Sequence, residues 1–532
     1  MAEVEAPVIL ITVLYFIAII AIGYYSRARL KSATDYYVAG RQIGSVVNGL
    51  ALESTYLSPA SMLGLPAYIF ILGYPFWWAM AAIIAGMPLA TLLTATALRK
   101  YAPTSFADYY ADRYNDQRLR WLIGIVVVIG AILYITLSIV GMALFLLAIA
   151  KVPYWIGVVV GTVIVMLYVV WGGMIATSWN AAFQAVLMTV AAVIAAIGIV
   201  VKLGGLEGLN NAILTSAPKF WNTPSDAPDV PHLLSGTWIA VIGWFFVWHY
   251  GFATMPYTVV RFFTVMDIKT ARRSIFWTTL FAGIFYVALQ IIGAASKYMI
   301  EHGPLGGTGK NAVEFLKGYM ATYGVGNWPD YSMIATVEAL QNPWILGILC
   351  AGGLAIAMST AAGWVMVVNT LVTRDWGELM LKSKLAKEKP ILVARIVSVI
   401  FLLIGLVVAL NPPGLVLDLS GWAFVVIISA LGPGLILGLW WKRATRAAMW
   451  TTAIIMTILH LFAWLRAKLV LGHHAFFFLN DILFGNKAAL ITPHQVWAIP
   501  VGFILFIIVS LLTKPPEEEI VKKYCEELTK EV

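Results

Sequence analysis

The sequence predicts an all-α polytopic membrane protein of 13 transmembrane helices, with its N-terminus outside and its C-terminus inside. Three observations carry this expectation. The 532 residues are 61% hydrophobic and 11% charged, too apolar for a soluble domain. The apolar runs recur at the ~20-residue length needed to cross the hydrocarbon core. Most of the 35 Lys and Arg fall in alternate short loops, the distribution that marks the cytoplasmic side. The net charge of +9 is accounted for by this loop bias. No basic patch with interleaved aromatics stands apart from the loops, so the expected partners are the lipid bilayer and a small solute, with no nucleic acid.

Taken in order, the spans are 7–27, 46–74, 77–98, 119–149, 153–173, 180–203, 235–256, 273–297, 343–373, 391–411, 414–440, 447–466 and 494–513. The first begins at Pro7 behind Glu3 and Glu5; a signal peptide would begin with basic residues, so the run is a retained helix. The inner loops carry Arg29, Lys31 and Arg41, then Arg99, Lys100, Arg113, Arg118 and Arg120. Arg261, Lys269, Arg272 and Arg273 follow, then Arg374 to Lys389, then Lys442, Arg443 and Arg446. The loop near Gly172–Asn180 carries no charge, and its side is fixed only by counting. Two outer stretches, 203–236 and 296–343, are long enough to hold short interfacial helices. The polar tail 514–532 is expected to be a short cytoplasmic helix. Cys350, in an apolar run, and Cys525, in the tail, give no disulfide framework and no thiolate metal site.

The second span contains Glu53, Ser54, Thr55, Tyr56, Leu57, Ser58, Pro59, Ala60 and Ser61. Pro59 cannot donate to the Thr55 carbonyl and its ring crowds that carbonyl, so backbone oxygens near Ser54 and Thr55 leave the helix ladder. Freed backbone at that depth is tolerated only where it is buried or lines a cavity. It builds either a cation site, as broken transporter helices do, or a structural kink. Glu53 is an ionisable group inside the membrane, costly and a functional candidate by default. It either carries a proton, helps hold a cation, or stays neutral on a hydrogen bond to a neighbouring helix.

The seventh span ends in an aromatic run that includes Trp248, His249 and Tyr250. This is either a solute pocket or an interfacial belt. In the ninth span Ile356, Ser359 and Thr360 sit among small residues. Small residues allow close helix packing, and the two hydroxyls also offer oxygen to a hard cation. Of seven histidines only His249 and His460 fall in apolar spans, which disfavours a haem-bearing redox subunit. Broken helices with binding groups suit occlusion better than a continuous pore. Neither an enzyme nor a passive channel is expected.

These irregular places also carry a resemblance. Asp35-Tyr36-Tyr37-Val38-Ala39-Gly40-Arg41, the span-2 run from Thr55 to Ser61, and Pro256-Tyr257-Thr258-Val259-Val260-Arg261-Phe262-Phe263-Thr264-Val265 are three of its motifs. Ala357-Met358-Ser359-Thr360 is a fourth. The last is Leu417-Asp418-Leu419-Ser420 with Gly432-Pro433-Gly434 and Trp441-Lys442-Arg443-Ala444-Thr445. In this order the chain resembles the sodium:solute symporters over nearly its whole length. It looks most like the acetate and other monocarboxylate permeases, with pantothenate carriers next.

The resemblance implies a 5+5 inverted-repeat (LeuT-like) core. Residues 1–45 would be the first helix and its loop, and 46–203 and 204–440 the two repeats. Residues 441–513 would be two peripheral helices and 514–532 a cytoplasmic tail. It implies sodium as coupling ion, held by carbonyls of Ser54, Leu57 and Ile356 and by the hydroxyls of Ser359 and Thr360. Tyr56, Ser58, Ser61, Trp248 and His249 are the candidates for the solute. The expected function is a secondary active symporter, in a prokaryotic plasma membrane, coupling sodium to uptake of a small organic anion such as acetate, propionate or lactate. Proton coupling through Glu53, or carriage of pantothenate or an amino acid, is the alternative. Acetate permeases have an aspartate where this chain has Thr55, and sugar and proline carriers have one at Ala181; the departures argue against sugar or proline.

Overall fold

A computed structural model describes residues 5–27, 33–222, 238–303, 311–470 and 494–530. Among these, structure is almost entirely helical; the only strand-like pairing is one isolated bridge between Ile43 and Val265. Helices satisfy their own backbone, the requirement for crossing hydrocarbon. Nine are long and apolar enough to span a membrane, and one sharply bent pair makes up to ten.

The chain opens with α1 (Ala6–Arg27) and a short α2 (Ala33–Val38). The bent pair is α3 (Ser45–Tyr56) and a segment running through the π-turn Ala60–Gly64 into α4 (Leu65–Leu72), turned by 59°. Then come α5 (Pro75–Ala90) and α6 (Thr96–Tyr101), joined by a π-turn, and a connecting helix α7 (Phe106–Arg113). α8 (Leu119–Ala150) leads to α9 (Tyr154–Lys202). An unbroken helix of the 49 residues of α9 would run for about 74 Å, well over twice the hydrocarbon thickness. Gly173 resolves this: its φ of 58° is open to glycine at no steric cost, and the helix breaks there. The uncharged loop expected at 172–180 is therefore replaced by this single-residue break, with residues 174–202 helical.

Next are α10 (Leu206–Ser216), α11 (Trp238–Thr254), α12 (Pro256–Phe263) and α13 (Ile268–His302). The short helices α14 (Ala312–Ala321) and α15 (Ser332–Glu338) occupy the second long connection, as α10 occupies the first. α16 (Pro343–Asn369) continues as a π-helical stretch to Met380 and is followed by α17 (Lys384–Glu388), α18 (Pro390–Ala409), α19 (Val416–Trp440), α20 (Arg446–Val470) and α21 (His494–Leu512). The tail is helical from Glu518 to Thr529.

Exposure sorts the helices. α18 turns Leu392, Ile396, Ile400, Leu403 and Val407 outward, a helical stripe suited to lipid. α1 is buried over only 22% of its apolar stretch, whereas α16 and α19 are buried over 83% and 89%. These two are the central posts, and α16 packs along α8 and α9.

Several basic residues expected in solvated loops are instead buried. Arg120 Nη1 donates to Asp108 Oδ1 (2.6 Å) and Asp375 Oδ1 (2.9 Å), and Arg374 Nη1 reaches the same two oxygens at 2.8 and 3.0 Å. Arg113 Nε donates to the Gly438 carbonyl at 2.8 Å, near the C-terminal end of α19, where a cation is favoured by the helix dipole.

Candidate functional site

The site grows from two interruptions with the same backbone solution. In α3, Leu57 leaves the helix with φ −68°, ψ 132° while its N–H still bonds the Glu53 carbonyl at 2.8 Å. Between α11 and α12, Met255 does the same with φ −69°, ψ 131°, its N–H on Gly251 O at 2.9 Å. A proline follows each break, Pro59 and Pro256, and cannot donate to the preceding turn. Freed groups are recaptured locally. Ser58 Oγ accepts the Ala60 N–H at 3.2 Å, and Thr258 Oγ1 donates to Met255 O (2.7 Å) and Phe252 O (3.0 Å).

α16 lies against the first break because glycine lets it. A Cβ on Gly363 would sit 2.5 Å from Thr55 Cγ2. The close approach puts Ser359 Oγ 2.7 Å from Ser54 O and 3.0 Å from Ile356 O. Thr360 Oγ1 is 2.9 Å from Leu57 O and 2.8 Å from Ile356 O. Ser54, Leu57, Ile356, Ser359 and Thr360 are all completely buried. The five oxygens named from the sequence thus form one network. The hydroxyl hydrogens donate to carbonyls here, and each hydroxyl oxygen keeps lone pairs that a cation could take. A neutral all-oxygen set of this kind suits a hard cation. Among the described residues no cluster of three or more His, Cys, Asp or Glu is placed to hold a metal ion.

Two ionisable side chains flank this network. Glu53, fully buried, accepts a hydrogen bond from Thr189 Oγ1 of α9 at 2.9 Å. Arg261 of α12 is 1% exposed. It donates to Thr55 Oγ1 and to Ser178 Oγ, both at 2.9 Å.

On the other side of the break, Tyr56 donates to the Trp248 carbonyl at 3.3 Å. Its ring meets Phe252 at 4.9 Å and Phe424 at 6.0 Å, and stacks on Tyr257 at 6.5 Å. Trp248 lies 5.0 Å from Phe424. Ser61 Oγ is 3.2 Å from the Tyr286 hydroxyl. Of the solute candidates, Tyr56 and Trp248 therefore share one aromatic cluster. Ser58 caps the second half-helix, and Ser61 faces α13. His249 sits apart: its ring stacks on Phe245 at 4.7 Å, and Phe245 is 39% exposed.

The model of the Sodium:solute symporter family matches residues 36–459. The chain belongs to the sodium:solute symporter family. It is a multi-pass membrane transporter, not an enzyme, and sodium is its coupling ion. The symporter is also similar to a Na+-coupled sialic acid symporter solved in a substrate-bound, outward-open state. The TM-score is 0.76 at 20% identity, over 97% of this chain and 100% of that one. It is similar to a manganese transporter from Eremococcus coleocola, solved with an aromatic bis-isothiourea substituted compound. There the TM-score is 0.52 at 14% identity, over 90% of this chain and 99% of that one. At these identities the likenesses show a shared transporter fold.

Two parts of the candidate site were not among the sequence candidates. Arg261 counts as a loop cation by composition, and only its position five residues past Pro256, on the second half of a broken helix, hints otherwise. Tyr134, Trp364 and Phe424 complete the aromatic cluster from three distant helices, and nothing in their local sequence marks them.

Proposed function

We propose that this symporter couples sodium to the uptake of a small organic anion, a short monocarboxylate such as acetate, propionate or lactate. The observation that carries the proposal is the shared break in α3. Its carbonyls at Ser54 and Leu57 meet the α16 hydroxyls at 2.7 and 2.9 Å, while Tyr56, between them, reaches Trp248 of α11. An ion bound on one face of the break and a solute on the other each favour the same arrangement of α3 and α16. Coupling requires that mutual stabilisation. The buried guanidinium of Arg261, bonded to Thr55 beside the break, supplies a positive field for an anion, and its sequence setting resembles that of monocarboxylate carriers.

In this proposal the chain makes 13 spans in a plasma membrane, with the N-terminus outside. Residues 46–203 and 204–440 are inverted five-helix repeats, flanked by 1–45, the peripheral helices 441–513 and the tail 514–532. The two like-built breaks at Leu57 and Met255 fall at the first span of each repeat, as inverted repetition requires. Ser54, Leu57, Ile356, Ser359 and Thr360 hold sodium; Tyr56, Ser58, Ser61, Trp248 and His249 border the solute path.

One observation favours a second coupling mode. Among the described residues, Glu53 is fully buried beside the ion network with only Thr189 on its Oε1 and no partner on Oε2, an arrangement that suits a carboxyl able to carry a proton. The deciding experiment is uptake of labelled acetate, propionate, lactate and pantothenate into proteoliposomes under a sodium gradient alone, then a proton gradient alone. Sodium-driven uptake of a short monocarboxylate is expected. Uptake driven only by protons, with its pH dependence abolished in Glu53→Gln, would transfer the coupling role to Glu53.

A further inference from the structure

Behind the α3 break lies a set of buried groups that the ion network does not use. Trp364 follows Thr360 by one helical turn on α16, so the two side chains share a face. Its ring packs on Tyr257 at 4.8 Å and on Tyr134 at 5.0 Å. Tyr134 in turn meets Tyr257 at 5.5 Å and Phe424 at 5.8 Å, and Phe424 meets Trp248 at 5.0 Å. The cluster joins α3, α8, α11, α12, α16 and α19.

Inside it the Trp364 Nε1 and Trp248 Nε1 are buried with no hydrogen-bond partner among the described residues, and the Tyr257 hydroxyl has none there beyond the neighbouring hydroxyl of Tyr134. Buried polar groups are normally satisfied, and each exception asks for a reason. An indole N–H can only donate. Two such donors cannot ligate a cation, so this is not a second sodium site. What fits is a ligand that brings acceptors without donors. The surrounding rings of Tyr56, Phe252, Tyr134 and Phe424 offer an apolar wall for a short carbon body.

We propose that Trp364 Nε1 and Tyr257 Oη are specificity-determining donors that bind the carboxylate of the transported solute, one helical turn from the sodium-binding hydroxyl of Thr360. This rests on the organic-anion reading and deepens it. The carboxylate accepts from both donors. The ring cluster is tightly packed, so the solute enters by displacing a ring. Phe424 is the natural one: it lies against the backbone of Gly251, where a Cβ would stand 2.1 Å from its edge. With Thr360 and Trp364 on one face of α16, the anion and cation sites share that helix.

The test uses the full-length protein in proteoliposomes under a sodium gradient, with labelled propionate as probe. Tyr257→Phe keeps the ring and removes the donor, and Trp364→Phe removes the donor while keeping one aromatic ring of the indole's two. Each should raise the KM for propionate about tenfold, the usual scale for one lost hydrogen bond to a charged group. Maximal rate and half-saturating sodium should stay within about twofold, which a general packing defect would not allow. In the wild-type protein, propionamide, which carries an N–H2 donor group, should fail to compete with propionate. Unchanged KM in both variants, or equal competition by propionamide, overturns the carboxylate site while leaving sodium-coupled uptake standing. No uptake of any short monocarboxylate by the wild-type protein overturns the substrate reading, and this inference falls with it. If a variant is not recovered folded, the propionamide competition decides alone.

Discussion

Thr360 spans two carbonyls with one hydroxyl, Leu57 O at 2.9 Å and Ile356 O at 2.8 Å, on a helix face with no exposure at all. Removing that oxygen leaves both carbonyls in place but takes one ligand and one hydrogen bond from a buried network, a loss of about 1–3 kcal/mol. Thr360→Ala should therefore raise the sodium concentration for half-maximal uptake by about tenfold or more. Thr360→Ser keeps the oxygen and should restore it to near wild type. Sodium titration of uptake checks both, and equal behaviour of the two variants would remove Thr360 from the ion network. Much at this scale was legible. Pro59 in an apolar span signals freed carbonyls, and paired hydroxyls among small residues signal a polar contact on a packed helix. Arg261 was not, because basic character assigns a residue to a loop until tertiary structure shows Thr55 and Ser178 receiving its donors. Ring partners such as Tyr134 and Trp364 were not, because packing between helices far apart in sequence leaves no local mark.

Among the elements, the joint between α7, α8 and the far end of α16 is held by charge. Asp108 Oδ2 also accepts the backbone N–H groups of Thr104 and Ser105, at 3.0 and 2.9 Å, so the carboxylate caps α7 while pairing with Arg120 and Arg374. Ser105 donates to Asp375. Burial alone would push the Asp108 carboxyl up, but Arg374 and Arg120 outweigh it and hold it below its ordinary value. A carboxyl depressed in the folded state contributes stability that is present above its unfolded value, ~3.9, and is lost as pH falls through the folded value. The part of the thermal midpoint that Asp108 contributes, read as the difference between wild type and Asp108→Asn, should thus hold between about pH 7 and 5 and be lost below about pH 4. Asp108→Asn should lower the midpoint at pH 7, since breaking one side of a buried ion network costs about 3–5 kcal/mol, and should flatten the acid-side fall. A variant as stable as wild type at pH 7 would show that the backbone cap, not the charge, is what Asp108 provides. The sequence marks these residues as charged loop positions. Their convergence depends on the π-helical continuation of α16 to Met380, which carries Arg374 and Asp375 beyond the expected end of the ninth span.

At the scale of the whole molecule, the tail binds the end of the bundle where basic residues gather. Cys525 Sγ donates to Leu439 O at 2.9 Å, Lys442 pairs with Glu526 at 2.6 Å, and Lys100 reaches Glu527 O at 2.5 Å. Tyr524 packs edge-on to Tyr101 at 5.8 Å. The tail therefore covers the ends of α6 and α19, next to Arg99 and Arg443, and must lie on the same side of the membrane as they do. Basic residues favour the cytoplasmic side, and the orientation proposed above puts the tail inside. An odd number of crossings then sets the first residues outside, and the break at Gly173 decides the parity. If the chain turns there, α9 crosses twice and the total is odd; if it continues, the termini share a side. Glu5 and Glu518 are exposed, while native Cys350 and Cys525 are buried, so single cysteines at Glu5 and Glu518 can be read against a quiet background. A membrane-impermeant maleimide should label Glu5→Cys in right-side-out vesicles and Glu518→Cys only in inside-out ones. Labelling of both from one side would make the number of crossings even. It would also remove the inverted relation between the two repeats, because an offset of five spans inverts a repeat only if every span in it crosses.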